Sequence, residues 1–295
     1  MTNRYHYLDP IFSVNTRFPS LKVVNGTALL RIFRTMSGTA DILDSYTTRK
    51  YRLRKNYLFF PQQDNTAMNG RSLVENFPEE VKMKDLEDYF RTARTNVSFY
   101  ESIEVELLKC TVAEREGRYL ESFFYIYRVI EGISYSIPLI YVSKNKDYNK
   151  SYGDLQAFFG KDKDGELAFF KRFVTQSFSS EAFFQSNIKI DLLEIEVEEL
   201  RSKYYELYIS KIKAGSIVNS EEGQYITVTF LGLYDLIIEL RNRFFHNAKG
   251  SWHANFESTQ LLYPDIFFRP IIDHCINWVC LIIFEVIKVD LDRTK

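Results

Sequence analysis

The chain is poor in the residues that usually make chemistry easy to read. Among 295 residues it has four histidines and three cysteines. No Cys-x-x-Cys or His-x-x-x-His spacing links them, so nothing in the sequence frames a metal site. His274-Cys275 with Cys280 reads instead as part of a buried helix. Three cysteines are an odd number in a chain too large to need staples, which points to reduced thiols and a cytoplasmic setting. No apolar run follows Met1, so no secretion signal is expected. A glycine-rich phosphate loop is missing, as is a Gly-x-Ser-x-Gly nucleophile elbow, and no cofactor is implied. No internal repeat or low-complexity tract appears. Excess charge of either sign is also lacking. With a formal net charge of -1, the molecule has no overall field to attract nucleic acid, so any such contact needs a local basic patch.

What is abundant is aromatic and apolar. Phe (25) and Tyr (20) supply a large core, and 26% charged residues at near neutrality exclude disorder over most of the length. The run from Ile271 to Val289 is about long enough to span a bilayer. It carries Asp273, His274, Asn277, Glu285 and Lys288, however, which are costly in lipid. A buried terminal helix is the expected form, with no membrane partner.

The texture changes near residue 82. Residues 1–82 are mixed, with short apolar runs at 22–24, 28–33 and 57–60 between turn formers. Thr47 to Lys55 alternates and is basic. It reads as a solvated strand face, with a phosphate-touching arm as the alternative. Residues 83–295 read as a helical domain. Helices are expected from about Lys84, over 97–115, and from Arg118 to Tyr135, stopping before Pro138. Others follow at 153–160 and 166–178, then from about 191 to 213, over 227–246, and over 270–289 with Pro270 in the first turn. Segments 142–152, 214–224 and 247–264 read as loops. Ser180 looks like an N-cap, and the Glu194, Glu196, Glu198, Glu199 cluster reads as a solvated helix face. The fold class is mainly α, with a mixed N-terminal portion.

Chemistry, if present, concentrates where the helix ending at His246 closes. At roughly 100° per residue, Asp235, Glu239, Asn242, Arg243 and His246 share one polar face. Asn242 and His246 are neighbours at i, i+4, as are Glu239 and Arg243. Arg241 falls in the apolar sector between Tyr234, Ile237 and Phe245, where a guanidinium needs a partner or a path to solvent. Glu131 lies at the border of the apolar face of the 118–135 helix and wants a cation, so Arg241–Glu131 is a candidate pair. A structural ion pair and a histidine decorating a helix C-terminus explain these residues without catalysis.

Arg241-Asn242-x-x-x-His246 at the end of a helix resembles the Arg-x(4–6)-His motif of the HEPN superfamily. The segment Phe123 to Glu131 is similar to the first long helix of such domains, which often carries an acidic residue facing the motif. The likeness spans roughly residues 90–290. It implies a helical bundle that dimerises and sets two motif copies across a shared cleft, as in metal-independent endoribonucleases of toxin–antitoxin or anti-phage defence systems. By that resemblance Arg241 would hold the scissile phosphate, His246 would exchange protons and Asn242 would orient the imidazole or the phosphate. Arg243, Asn247 and Lys249 would meet the RNA, with Glu131 and Glu239 supporting. The family also holds inactive members that serve as binding modules for a nucleotide, RNA or protein partner. A tyrosine stands two residues after the histidine in a subgroup controlled by a nucleotidyltransferase antitoxin. Here that position is Ala248.

Overall fold

A computed structural model describes residues 4–10, 17–65, 69–159, 165–245 and 261–294. Among these, eleven α-helices and eight short strands make a mainly α molecule with small sheets.

The chain opens on a three-stranded antiparallel sheet. β1 (Tyr5–Leu8) pairs with β2 (Asp41–Asp44), and β2 with β3 (Lys50–Arg52). Between β1 and β2 lies α1 (Ala28–Met36), started by Thr27, whose hydroxyl accepts the Leu30 N–H at 3.3 Å. The short ribbon β4 (Lys55–Asn56) and β5 (Gln63–Asp64) follows, then a single turn, α2 (Arg71–Val74). α3 (Met83–Thr92) begins where expected, and Asp85 accepts the Lys82 N–H at 2.8 Å.

The basic segment 47–55 is a strand face and not a free arm. Arg49 pairs with Glu116, Lys50 and Arg54 with Asp41, and Lys55 with Glu114 and Asp273. Arg49, Lys50, Arg54 and Lys55 are thus spent on the fold's own carboxylates, while Arg52 is exposed.

α4 (Val97–Arg115) matches its expected span, and Gly117, at φ 72°, turns the chain into α5 (Tyr119–Ser143). α5 corrects the first helix boundary, because it runs straight through Pro138. A proline inside a helix costs about 3 kcal/mol. Beyond it, however, Ile140 and Val142 are buried along with Ile133 and Ile137, and stopping the helix would expose that face. α6 (Tyr148–Phe159) begins earlier than expected, inside the polar segment 142–152, and α7 (Glu166–Phe178) lies as expected. Glu181, not Ser180, precedes the single turn α8 (Ala182–Gln185).

The largest corrections concern a second sheet, ordered β6-β8-β7. β6 (Asn187–Asp191) does not run into a helix; α9 (Glu198–Lys211) starts only at 198, so Glu194 and Glu196 precede it. β7 (Ile217–Glu221) and β8 (Tyr225–Thr229) form a hairpin in the segment read as loop and helix start. Ile188 faces Val228 and Ile190 faces Ile226 across β6 and β8, all four buried. Alternating β-branched residues satisfied by a strand 38 positions away outcompete a local helix.

α10 (Phe230–Phe245) carries Arg241 and Asn242, and α11 (Pro264–Thr294) follows. α11 corrects the last boundary, since Pro264 opens it and Pro270 lies inside. It is the one helix among the described residues long and apolar enough to cross a membrane, and 89% of its apolar window is buried inside the molecule. α5, α11, α7 and α10 bury most of the core, with Trp278 stacked on Phe230 and Tyr234 and donating to the Phe230 carbonyl at 3.0 Å. The same core takes in residues before 82. Phe33 stacks on Phe90 and Phe284, and the Asn277 amide donates to the carbonyls of Tyr57 and Phe59 at 2.8 Å.

Candidate functional site

Arg241 sits in the last turn and a half of α10. Its odd position in the apolar sector has a local explanation. The guanidinium stacks over the ring of Tyr127, 4.6 Å from the centroid, and reaches Glu131, with Nη2 2.8 Å from Oε1. Tyr127 and Glu131 are i, i+4 neighbours on α5, and the tyrosine hydroxyl donates to the same carboxylate oxygen at 2.9 Å. The apolar stem of Arg241 therefore packs while its head stays hydrogen-bonded. Nη1 donates to the Asn242 side-chain oxygen at 3.0 Å. The phenol of Tyr127 is raised above its ordinary value, first by burial and then by its bond to Glu131, so it stays a neutral donor.

This cluster lies at a rim. The Arg241 side chain is 17% exposed and that of Glu131 36%, and Asn242 is exposed. A pair this wet contributes about 1 kcal/mol or less, with about 0.5–1 kcal/mol more from the cation–π contact. Arg243 goes elsewhere, with Nε 2.6 Å from Glu239 Oε1. The structure thus brings Arg241, Asn242 and Glu131 together and sets Arg243 and Glu239 apart as a second pair. His246, Asn247 and Lys249 lie outside the described residues, as do Trp252 and His253.

Tyr127 is the contributor that sequence reasoning missed. Its signal was present, since it stands one turn before Glu131 on the same helix. A second missed group lies on the opposite flank of α10. The Lys211 ammonium is held below its ordinary value, first by burial and then by the charge of Arg243.

Other features of the molecule do not converge on the motif. A cavity of about 990 Å³ lies around Arg17, Arg71 and Met83 and includes none of the motif residues. Among the described residues no three His, Cys, Asp or Glu side chains cluster as metal ligands. The three cysteines are buried and free. Glu194, Glu196, Glu198 and Glu199 are exposed as expected, with Glu194 3.4 Å from Arg269.

No family model matches the chain, and no curated protein or solved structure matches it either.

Proposed function

We propose that the chain is a metal-independent endoribonuclease of HEPN type, acting in the cytoplasm as a homodimer within a toxin–antitoxin or anti-phage defence system. The observation that carries this reading is the rim placement of Arg241. Its guanidinium is oriented by a carboxylate, a ring and an amide, yet it keeps an edge to solvent, five positions before His246 in the sequence.

The chemistry follows from these groups. The ribose 2′-oxygen attacks phosphorus, the bond to the 5′-oxygen breaks, and a 2′,3′-cyclic phosphate and a 5′-hydroxyl result. His246 takes the proton of the 2′-hydroxyl or gives one to the leaving oxygen. Arg241 stabilises charge on the non-bridging oxygens through its planar donors. Asn242, already bonded to Arg241, steers the phosphate or the imidazole. Asn247 and Lys249 follow directly in the chain and add polar and positive groups for the strand.

The two-copy arrangement is supported by the outer face of α5. Phe124, Arg128, Gly132, Tyr135 and Leu139 form one exposed stripe beside Glu131. Arg128 in this stripe is held by Glu106 of α4 and lies over Phe124, and Tyr135 packs on Phe169, which leaves the exposed Leu139 as the apolar contact for a second copy. Two Arg241 groups would then flank one cleft.

Purified protein incubated with total RNA in excess EDTA should release fragments with 2′,3′-cyclic phosphate ends. His246→Ala and Arg241→Ala should not. Equal cleavage by wild type and His246→Ala, or none by wild type, removes the catalytic reading. Leu139→Glu should convert a dimer to a monomer by light scattering and reduce cleavage in parallel.

A second reading is favoured by the completeness of the Arg241–Glu131–Tyr127 cluster, which accounts for Arg241 without a substrate. In that case the chain is a non-catalytic helical module that binds a nucleotide, an RNA or a partner protein. Arg241→Ala would then lower stability, and His246→Ala would change neither stability nor binding.

A further inference from the structure

A cavity of about 490 Å³ lies among β1, α1, α4 and the start of α5, and neither Arg241 nor its partners line it. The sequence sets its helical walls by period. Val105, Leu108 and Lys109 stand at i, i+3 and i+4 on α4, and Arg118, Glu121 and Tyr125 at i, i+3 and i+7 at the start of α5, so each set shares one helix face. The turn at Gly117 lays the two helices side by side. Arg4 and the first three residues of β1 also line the cavity, so the strand meets it along its edge. β1 is the outer strand of its sheet, and an outer strand carries backbone N–H groups outside the ladder. Most charges on the walls are answered. Arg4 is held by Asp44 at 2.6 Å, Arg31 by both oxygens of Glu104 at 2.8 Å, and Arg118 by Glu116 at 2.6 Å and by Glu121. Lys109 differs. Among the described residues no carboxylate pairs with it, and its ammonium rests over the ring of Tyr125, 5.4 Å from the centroid.

We infer that this cavity binds a small aromatic monocarboxylate. One ammonium without a carboxylate partner matches one negative charge, whereas a phosphate dianion would also be repelled by Glu104 and Glu121 on the walls. Lys109 takes one carboxylate oxygen by a charge-assisted hydrogen bond, and an N–H on the edge of β1 takes the other. The ring of the ligand lies against Tyr5, Tyr7 and Tyr125, with Val105 and Leu108 completing an apolar surface. Aromatic rings gain from edge or offset contact with one another beyond the area they bury. The volume lies within the range of a small-ligand pocket. The paired arginines and glutamates fix the walls and leave Lys109 as the cation that the ligand can claim. None of these groups belongs to the Arg241 cluster, so the inference stands apart from the ribonuclease reading.

The test is calorimetric titration of the full chain with indole-3-acetate. The wild type should bind this acid, and its uncharged isostere indole-3-acetamide should bind about tenfold more weakly. Lys109→Gln should weaken binding of the acid by about the same factor. Its melting curve should stay unchanged, since the half-buried side chain makes no ion pair. Lys109→Arg should retain most of the affinity. Tyr125→Leu keeps apolar bulk but removes the ring, and should weaken binding about threefold. Lys150→Ala, exposed and outside the cavity, is the control and should change nothing. Adenosine 5′-monophosphate should bind more weakly than the acid. Failure of the wild type to bind indole-3-acetate overturns the site, as does equal affinity for the acid and the amide, or equal affinity in Lys109→Gln. Tighter binding of adenosine 5′-monophosphate than of the acid overturns the carboxylate assignment. If Lys109→Gln lowers the melting temperature, the comparison of acid with amide on the wild type still decides.

Discussion

Arg34 has no exposed surface at all, an unusual state for a guanidinium, and every direction around it holds an acceptor. Asp9 takes two of its hydrogen bonds at 2.8 and 3.1 Å, Leu21 offers a carbonyl at 2.9 Å, and Thr39 offers both its hydroxyl and its carbonyl. Arg34→Ala takes the guanidinium away from the buried Asp9 carboxylate and should cost about 3–5 kcal/mol, read as a lower urea midpoint at constant slope. Nothing near Arg34 in the sequence announces this, because its partners come from segments that only the fold brings together. Arg241 differs on both counts. Its partner was legible, since a carboxylate at the border of an apolar face asks for a cation. Its exposure also limits its structural worth. Arg241→Ala should lower cleavage by about 10²–10³-fold if the guanidinium stabilises the transition state, while stability falls by only about 1 kcal/mol. Arg241→Lys keeps the charge but loses the planar fork and should not restore activity fully. Paired measurement of RNA cleavage and thermal unfolding separates the two effects.

Among the elements, the helices with a clear apolar period and the alternating strand within 47–55 were legible, and the second sheet was not. α4 and α7 follow from their periodicity and lie where it set them. β6, β7 and β8 are short, and the polar sequence of β7 gives no reason for a strand until β8 lies beside it. The hairpin turns at Gly223, which holds φ at 66°. A methyl group there would meet the Ser202 hydroxyl at 3.5 Å and Arg201 Nε at 3.9 Å, both ordinary contacts, so the penalty for Gly223→Ala is conformational. A loss of about 1 kcal/mol is expected, measured by chemical unfolding. Prolines misled in the opposite direction. Pro138 and Pro270 both lie inside helices whose buried faces continue on either side. Local chain stiffness suggested two ends where packing kept the helix going.

For the molecule as a whole, α11 ties distant parts together, and its charged groups mark the joints. Asp273 accepts from Lys55 at 2.7 Å and from the Tyr57 hydroxyl at 2.9 Å, which pins the second small ribbon to the terminal helix. Beside it His274 has Nδ1 shut away from solvent with no partner. Burial lowers its pKa, against the opposing effects of Asp273 and a hydrogen bond with the Lys189 backbone. The unfolded chain therefore takes up this proton before the folded one does. Stability is unaffected well above the unfolded value near ~6.5 and falls as pH drops from there towards the folded value. His274→Gln should flatten that part of the profile in melts between about pH 7.5 and pH 5, relative to wild type. The sequence by itself determined a mainly α chain with a large aromatic core. It also determined that the apolar run near the C-terminus is too charged for lipid, and that Arg241 and Glu131 are natural partners. Those conclusions rest on periodicity and on the cost of burying charge, which act over a few residues. Only the tertiary structure decided the second sheet, the fate of the basic segment 47–55, the burial of Arg34 and the cavity beside Lys109. Each of these needs groups far apart in the chain to meet, and their energies appear only once they do.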